Sequence, residues 1–551
     1  MKLKGPEYIT ADVLVIGGGG AGLRAAIQAR EKGASVLLVS KSRVGLGNNT
    51  ALSAAAFAAA TGGRDASDNP DVHTRDMLEG GCFINDPRLA ARMARKVVDE
   101  VSFLESCGVS FQKEGERLLI SRSPGHSYHR HFHGEKRRGT EFTLPLKEYA
   151  SSIGVDFIER VFISRLLTQN GEITGAVGID REGRLLVFPA RAVVLATGGL
   201  GQIYLYTNNA VGMTGDGYTL AFDLGLPLRD MEFVQFYPTT IRGTRLVIYE
   251  AFVFSSGAII RNSRGEDVLA KHGLQDPKVM TRDRVTRAIM RELLEGNDVD
   301  GGVIMDLGPV TDEDFRRLRR LLPAATPQER REFVVSPTAH FSMGGIVTDD
   351  ETRTPIPGLF ACGEVVGGIH GANRLAGNAL SEVFAMGAIA GENAACRAKE
   401  TSPRKPDPTE IGAEKARLES LLGEERGNTG DLLRSLKNVM WYQAGIIRHQ
   451  SGLKEALDEI RNIRSMAGRV RVADIKGLTR RLELDNMLLV AEVVSRAALE
   501  RTESRGAHYR EDYPQEDSAW RASLFITNRR GKIALEKRPA ELQQEPKASN
   551  Q

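Results

Sequence analysis

Cysteine is scarce in this chain. Cys82, Cys107, Cys362 and Cys396 are the four in 551 residues, and their wide spacing leaves no C-x-x-C pair. An internal iron–sulfur cluster, a zinc site or a disulfide framework is therefore not expected. A redox role would need an organic electron carrier, with any clusters on another subunit. Charge of one sign is lacking too: the formal net charge is +3 with 26% charged residues, so composition does not point to nucleic acid. Long apolar runs are missing as well. The lowest-polarity stretch, 51–60, is short and built of small residues, so no membrane span is expected. No apolar signal core or twin-arginine leader precedes the first strand, and cytoplasmic residence is the expectation.

What the chain does have is Val13-Leu14-Val15-Ile16 running into Gly17-Gly18-Gly19-Gly20-Ala21-Gly22. Gly17, Gly19 and Gly22 satisfy G-x-G-x-x-G between a predicted strand and a helix over 23–33. In that place glycines allow a tight turn, close approach of backbone to a pyrophosphate and close strand–helix packing. The helix start adds unpaired N–H groups and a positive dipole end. A second strand is predicted over 35–40. It ends in Ser40-Lys41, where a dinucleotide fold usually has an acid for the ribose. Gly45-Leu46-Gly47-Asn48-Asn49-Thr50 and the small residues after it suit a backbone lying flat against a ligand, or a tightly packed Ala-rich helix.

Further along, 87–109 reads as helix and 111–135 as irregular with strand pieces. The latter holds His126, His129, His131 and His133. At strand spacing the last three share a face, but no acid or cysteine nearby in sequence completes a ligand set, and no metal is expected. A buried-type strand over 191–197 ends in Gly198-Gly199, and Thr214-Gly215-Asp216-Gly217 opens a helix ending near Gly225. Residues 229–332 change character, with a helical stretch at 282–295, and read as an inserted domain. The dinucleotide pattern resumes at 357–364 and closes with a helix at 378–398. A Pro-rich linker at 403–408 leads to helical periodicity over 410–503, and the tail beyond Gly506 reads as polar and irregular.

Several motifs together resemble the flavoprotein subunits of the succinate dehydrogenase/fumarate reductase family, which includes L-aspartate oxidase. They are Ala196-Thr197-Gly198-Gly199, Thr214-Gly215-Asp216-Gly217, Asp230-Met231-Glu232-Phe233 and Thr281-Arg282-Asp283. His340-Phe341-Ser342-Met343-Gly344-Gly345-Ile346, Gly363-Glu364, Gly371-Ala372-Asn373-Arg374-Leu375 and Arg505-Gly506-Ala507-His508-Tyr509-Arg510 follow in order. The resemblance implies an α/β fold: a Rossmann-like FAD-binding domain (1–228 and 333–400), an inserted α+β capping domain (229–332), a C-terminal helical bundle (410–503) and a tail (504–551). Ser40-Lys41 is usual in that family. The FAD contacts it implies are Asn48, Thr50, Ala196, Thr197, Gly198, Asp216, Glu364, Asn378 and Leu380, beside Gly17, Gly19, Gly20, Ala21, Gly22, Ser40, Lys41 and Asn49. Respiratory members bind FAD covalently through a His after the second strand. Asn49 stands there, and an amide cannot form that link, so the FAD is expected to be non-covalent.

The family reaction passes hydride between flavin N5 and a C=C or CH–CH bond conjugated to a carboxylate, with a proton donor across the bond. By resemblance Arg282 is that donor, although an unperturbed arginine stays protonated; without the resemblance it reads as a helix-start ion pair with Asp283 or Glu292. Glu250 matches the acid feeding it protons, while His340 and Arg374 match the residues holding one substrate carboxylate. Thr239 is expected on the same pocket. The pattern then departs from the family. Tyr237 replaces the His before Pro-Thr, Tyr249 replaces the Thr before Glu250, and Val253-Phe254-Ser255-Ser256-Gly257 stands where Arg-Gly-Glu-Gly is usual. The lost groups would bind the second carboxylate and carry protons. A more aromatic pocket end is expected at Tyr237 and Tyr249, with Phe252 and Phe254 read as core of the cap. The expected substrate is therefore not plain fumarate. The alternatives are a true flavoprotein subunit of succinate dehydrogenase or fumarate reductase, and an electron-transfer subunit whose substrate site has decayed. An iron–sulfur partner, and through it a peripheral place on the inner face of a membrane, is implied by the resemblance alone.

Overall fold

In the computed structural model, which describes residues 2–123, 125–248, 256–276, 280–319, 322 and 329–540, Ala11–Ile16 lies inside a parallel sheet. Val36–Ser40 flanks it on one side, Val13 opposite Val36, and Asp156–Glu159 lies beyond. Arg184–Leu195 flanks the other side, Val15 opposite Val194, and also pairs in parallel with Leu359–Ala361. Such a strand reads as one apolar run because both of its faces are covered. Helices Gly20–Glu31 and Asn378–Glu400 pack together over Val13, Val15, Val36 and Leu38. The first of these begins before the expected 23, directly at the glycine cluster. The strand expected at 191–197 is longer and starts at Arg184, where an antiparallel extension, Phe162–Gln169 and Glu172–Ile179, meets it.

The inserted domain has its own antiparallel sheet, in the order Val234–Ile241, Glu332–Ser342, Val303–Asp306 and Ile259–Arg261. Its core joins Ile260, Ile289, Val303 and Val335, with helix Arg282–Leu294 packed on the strands. Glu332–Ser342 pairs with two strands of this sheet, so the cap's structure runs past the boundary expected at 332. Helices Pro408–Leu421, Thr429–Tyr442, Gln450–Ala467 and Ile475–Glu500 make up the helical region. Asp407, Asn428 and Asp474 cap three of them by accepting first-turn N–H groups. Leu436, Met440, Leu488 and Val494 continue the core of the parallel sheet rather than forming a separate one.

The tail departs from expectation. Ala522–Arg529 and Lys532–Pro539 form a hairpin, and the first strand pairs with Leu228–Arg229. Leu524 and Ile526 alternate into the main core, while the Arg529-Arg530-Gly531 turn and the lysines and arginines around it hide that alternation in the sequence. No helix among the described residues is long and apolar enough to cross a membrane.

Candidate active site

A cavity of about 980 Å³ opens at the carboxyl end of the parallel strands and reaches beneath the cap. Most of the expected residues line it. Gly17, Gly19, Gly20, Ala21, Ser40, Lys41, Asn48, Asn49, Thr50, Ala196, Thr197, Gly198, Asp216, Glu364 and Leu380 wall one end, and Tyr237, Arg282, His340 and Arg374 the other.

The first end is built from backbone. Gly17 holds φ +126°, and a Cβ there would sit 2.1 Å from the Ala196 carbonyl oxygen. Gly22 lies behind the wall, where a Cβ would meet the Gly17 carbonyl oxygen at 1.9 Å; its part is close packing of strand and helix. Gly19 gives the helix no side-chain cap; in the first turn the Gly20 N–H donates to Thr50 Oγ1 at 3.2 Å, and the next two N–H groups have no partner within the helix. Lys41 Nζ donates to Thr214 Oγ1 and Asp216 Oδ2 at 2.6 Å and to Glu483 Oε1 at 3.1 Å. Burial opposes its charge, but Asp216 and Glu483 outweigh that and raise its pKa. Glu364 is pushed up to about 7 by burial, against hydrogen bonds from Asn49 and the Ser342 N–H. The glycine cradle, the helix start and the buried, unpartnered Thr197 Oγ1 fit a dinucleotide such as FAD.

The second end is built from side chains on different segments. Arg374 Nη2 donates to Gln235 Oε1 at 2.9 Å, and Arg282 Nη1, at the start of the cap helix, reaches the same oxygen at 3.3 Å. Gln235 Nε2 donates to Asn373 Oδ1 at 2.8 Å and to the Arg374 carbonyl at 3.0 Å. Arg282 lies 5.0 Å above the Tyr237 ring, and His340 packs against that ring at 5.1 Å. Burial first, then Arg374 and Arg282, lower the His340 pKa well below 6.5. Asp283 pairs with Arg287, and Glu292 with Lys271 and His272.

Two expected contacts are placed elsewhere. Thr239 donates its hydroxyl to the Ile248 carbonyl at 2.5 Å and is absent from the cavity wall. Asn378 is also off the wall, its Oδ1 3.0 Å from His73 Nε2. Tyr249, Glu250, Phe252 and Phe254 lie outside the described residues. His126 and His131 both donate Nε2–H to the Ala376 carbonyl at 2.9 Å, and His133 meets Ser121 Oγ at 2.7 Å. His129 does gain an acid that sequence proximity did not offer, Asp65 at 3.0 Å. Among the described residues no group of three His, Cys, Asp or Glu is placed to hold a metal ion. Asn208, Asn209 and Glu483 join the site without a signal of their own in the sequence motifs, and Gln235 joins it too. For Gln235 a signal did exist: it stands two residues from Tyr237 and therefore on the same strand face.

A dinucleotide cradle that opens beneath an inserted cap defines an FAD-binding oxidoreductase architecture. Residues 12–380 match the family model of an FAD binding domain, and 433–550 that of the fumarate reductase flavoprotein C-term. The chain is 37% identical to an uncharacterized FAD-dependent oxidoreductase of Methanocaldococcus jannaschii, over 94% of this chain and 96% of that one. It is 36% identical to one of the subunits of the CoM/CoB fumarate reductase of Methanothermobacter marburgensis, over 95% and 98%. Among solved structures, a chain of a mutated E. coli quinol fumarate reductase aligns with TM-score 0.89 at 29% identity, covering 98% of each chain. The chain belongs to the fumarate reductase/succinate dehydrogenase flavoprotein family. It is an FAD-dependent oxidoreductase acting on CH–CH groups.

Proposed function

We propose that this enzyme interconverts C=C and CH–CH bonds conjugated to one carboxylate, in a substrate whose other end is not a second carboxylate. Bound FAD supplies the two-electron chemistry. Arg374 and His340 hold the carboxylate, the guanidinium offering a fork of donors. Arg282 stands at the cap helix start as proton donor or acceptor, with Glu250 feeding it. The observation that carries the reading is Tyr237, 2% exposed and packed against both Arg282 and His340. A second carboxylate there would meet the ring and single neutral hydroxyl of Tyr237 in place of the donors a His and a Thr would provide, and would be solvated less well than in water. A screen of unsaturated mono- and dicarboxylates against the photoreduced, FAD-loaded protein tests this through flavin reoxidation. Fumarate turnover near that of dedicated fumarate reductases would overturn it.

The FAD is held without a covalent link, because Asn49 offers only an amide at the linking position. Acid precipitation should leave the yellow colour in the supernatant; colour kept on the protein refutes this. Relatives named as subunits support an electron-transfer partner, which we take to be an iron–sulfur protein that places the chain peripherally on a membrane. Co-purification from the native host with an iron–sulfur protein tests that assignment.

A further inference from the structure

Asn49 begins a hydrogen-bond chain that ends on the imidazole of His340. Its Oδ1 accepts from the Ala210 backbone N–H at 2.9 Å. A backbone nitrogen only donates, so this bond decides which end of the Asn49 amide is oxygen. Nδ2 is then the donor to Asn209 Oδ1 and to Glu364 Oε2, each at 3.0 Å. Asn209 is oriented in turn, and its Nδ2 donates to the His340 carbonyl at 2.8 Å and to Asn208 Oδ1 at 3.3 Å. The same Asn208 Oδ1 lies 3.1 Å from His340 Nδ1. Oxygen there can only accept, so the ring nitrogen must donate.

We propose that Asn49, Asn209 and Asn208 are positioning residues that hold His340 as the Nδ1–H tautomer. Its Nε2 then meets a ligand as an acceptor, and a carboxylate binds there only with uptake of one proton. No described residue hydrogen-bonds Nε2, and His340 lines the cavity. The groups that face it are cations and an aromatic ring: Arg374 from the loop, Arg282 from the cap helix and Tyr237 from the neighbouring strand. Glu364 is the acid on the same hydrogen-bond chain, beyond Asn49. The ring is therefore neutral at pH 7 before a ligand arrives. A bound carboxylate supplies the missing negative partner, and the proton taken from solvent completes a bond from Nε2–H to its oxygen. Affinity then falls about tenfold for each pH unit above the pKa of the free ring. Proton uptake rests on the carboxylate reading above; the tautomer does not.

Isotope-edited NMR of histidine ring nitrogens in the FAD-loaded protein, with His340 assigned by H340Q, reads the tautomer directly. A protonated Nδ1 and bare Nε2 at neutral pH are expected, with mixed tautomers in Asn208→Leu. A protonated Nε2 in the wild type overturns the assignment. Crotonate binding, followed by the flavin absorbance change across neutral pH, should weaken by about tenfold per pH unit. Asn208→Asp should flatten that slope by giving Nδ1–H an anionic partner that keeps the ring charged. A flat wild-type profile overturns proton uptake, as does a slope that survives in H340Q and so belongs to another group such as Glu364. Absence of crotonate binding at every pH overturns the carboxylate reading and proton uptake with it, while the NMR still decides the tautomer.

Discussion

The two ends of the cavity are built by different means. The nucleotide end presents main chain, with glycines where a Cβ would collide with Ala196 or Gly17. At the substrate end, Arg374, Arg282, Gln235, Tyr237 and His340 converge from a loop, a helix and two strands. Backbone recognition depends on little more than the absence of side chains, so it accommodates one cofactor with few ways to change. Side-chain recognition can be reset by one substitution that leaves the fold alone. Damage at one end should therefore separate cleanly from damage at the other.

Arg282→Ala gives the largest separation. Turnover should fall by about 10²–10⁴-fold, the usual span for a positioned proton donor, with the bound-flavin spectrum unchanged. Retained activity in steady-state assays would move the donor elsewhere. Gly22→Ala is the converse, because its Cβ would sit 1.9 Å from the Gly17 carbonyl oxygen and the loop must shift. Overpacking of about 1–3 kcal/mol corresponds to about 5–150-fold in FAD affinity, read by ultrafiltration. The fraction that keeps FAD should turn over normally, and slow turnover in that fraction would break the separation.

Glu364 sits between the two ends, bonded to Asn49 and to the Ser342 N–H, and its pKa rises from 4.5 to about 7. The folded apo-protein therefore holds a proton that the unfolded chain releases. The resulting stability is fully present below 4.5 and is lost as pH rises through about 7. At about 1.4 kcal/mol for each pH unit the change is about 3 kcal/mol. Denaturant titrations of apo-protein should show that decline, and Glu364→Gln should flatten it.

The same contrast governs what could be read before the structure. Gly17, Gly19 and Gly22 report the main chain directly, so strand, turn and helix were legible from their spacing. Tyr237 was legible as a departure, but its packing on Arg282 and His340 was not, since those contacts join separate segments. Asn208 and Asn209 carried no motif at all; their roles come from lying beside Asn49 and His340 in space. Thr239 and Asn378 were assigned by resemblance, but they bond Ile248 and His73 and lie off the wall. The hairpin of Ala522–Arg529 and Lys532–Pro539 was hidden because Lys532, Glu536, Lys537 and Arg538 in its second strand make the tail read as polar.

Tyr237→His is the smallest change and bears most directly on the substrate end. It exchanges a neutral phenol hydroxyl for an imidazole that can carry charge where a second carboxylate would bind, and a hydrogen bond between charged groups contributes about 1.5–3 kcal/mol. It also removes the ring beneath Arg282, a cation–π contact of about 0.5–2 kcal/mol. The two effects oppose each other, so kcat/KM for fumarate should rise by about tenfold or less. Tyr249 still stands where the Thr is usual, which limits the gain further. For a substrate with one carboxylate the imidazole has no anionic partner, and the loss of the ring beneath Arg282 remains, so kcat/KM should fall. Opposite signs for the two substrates are the expected signature. A rise or a fall shared by both would mean that Tyr237 acts on Arg282 alone and does not choose between them.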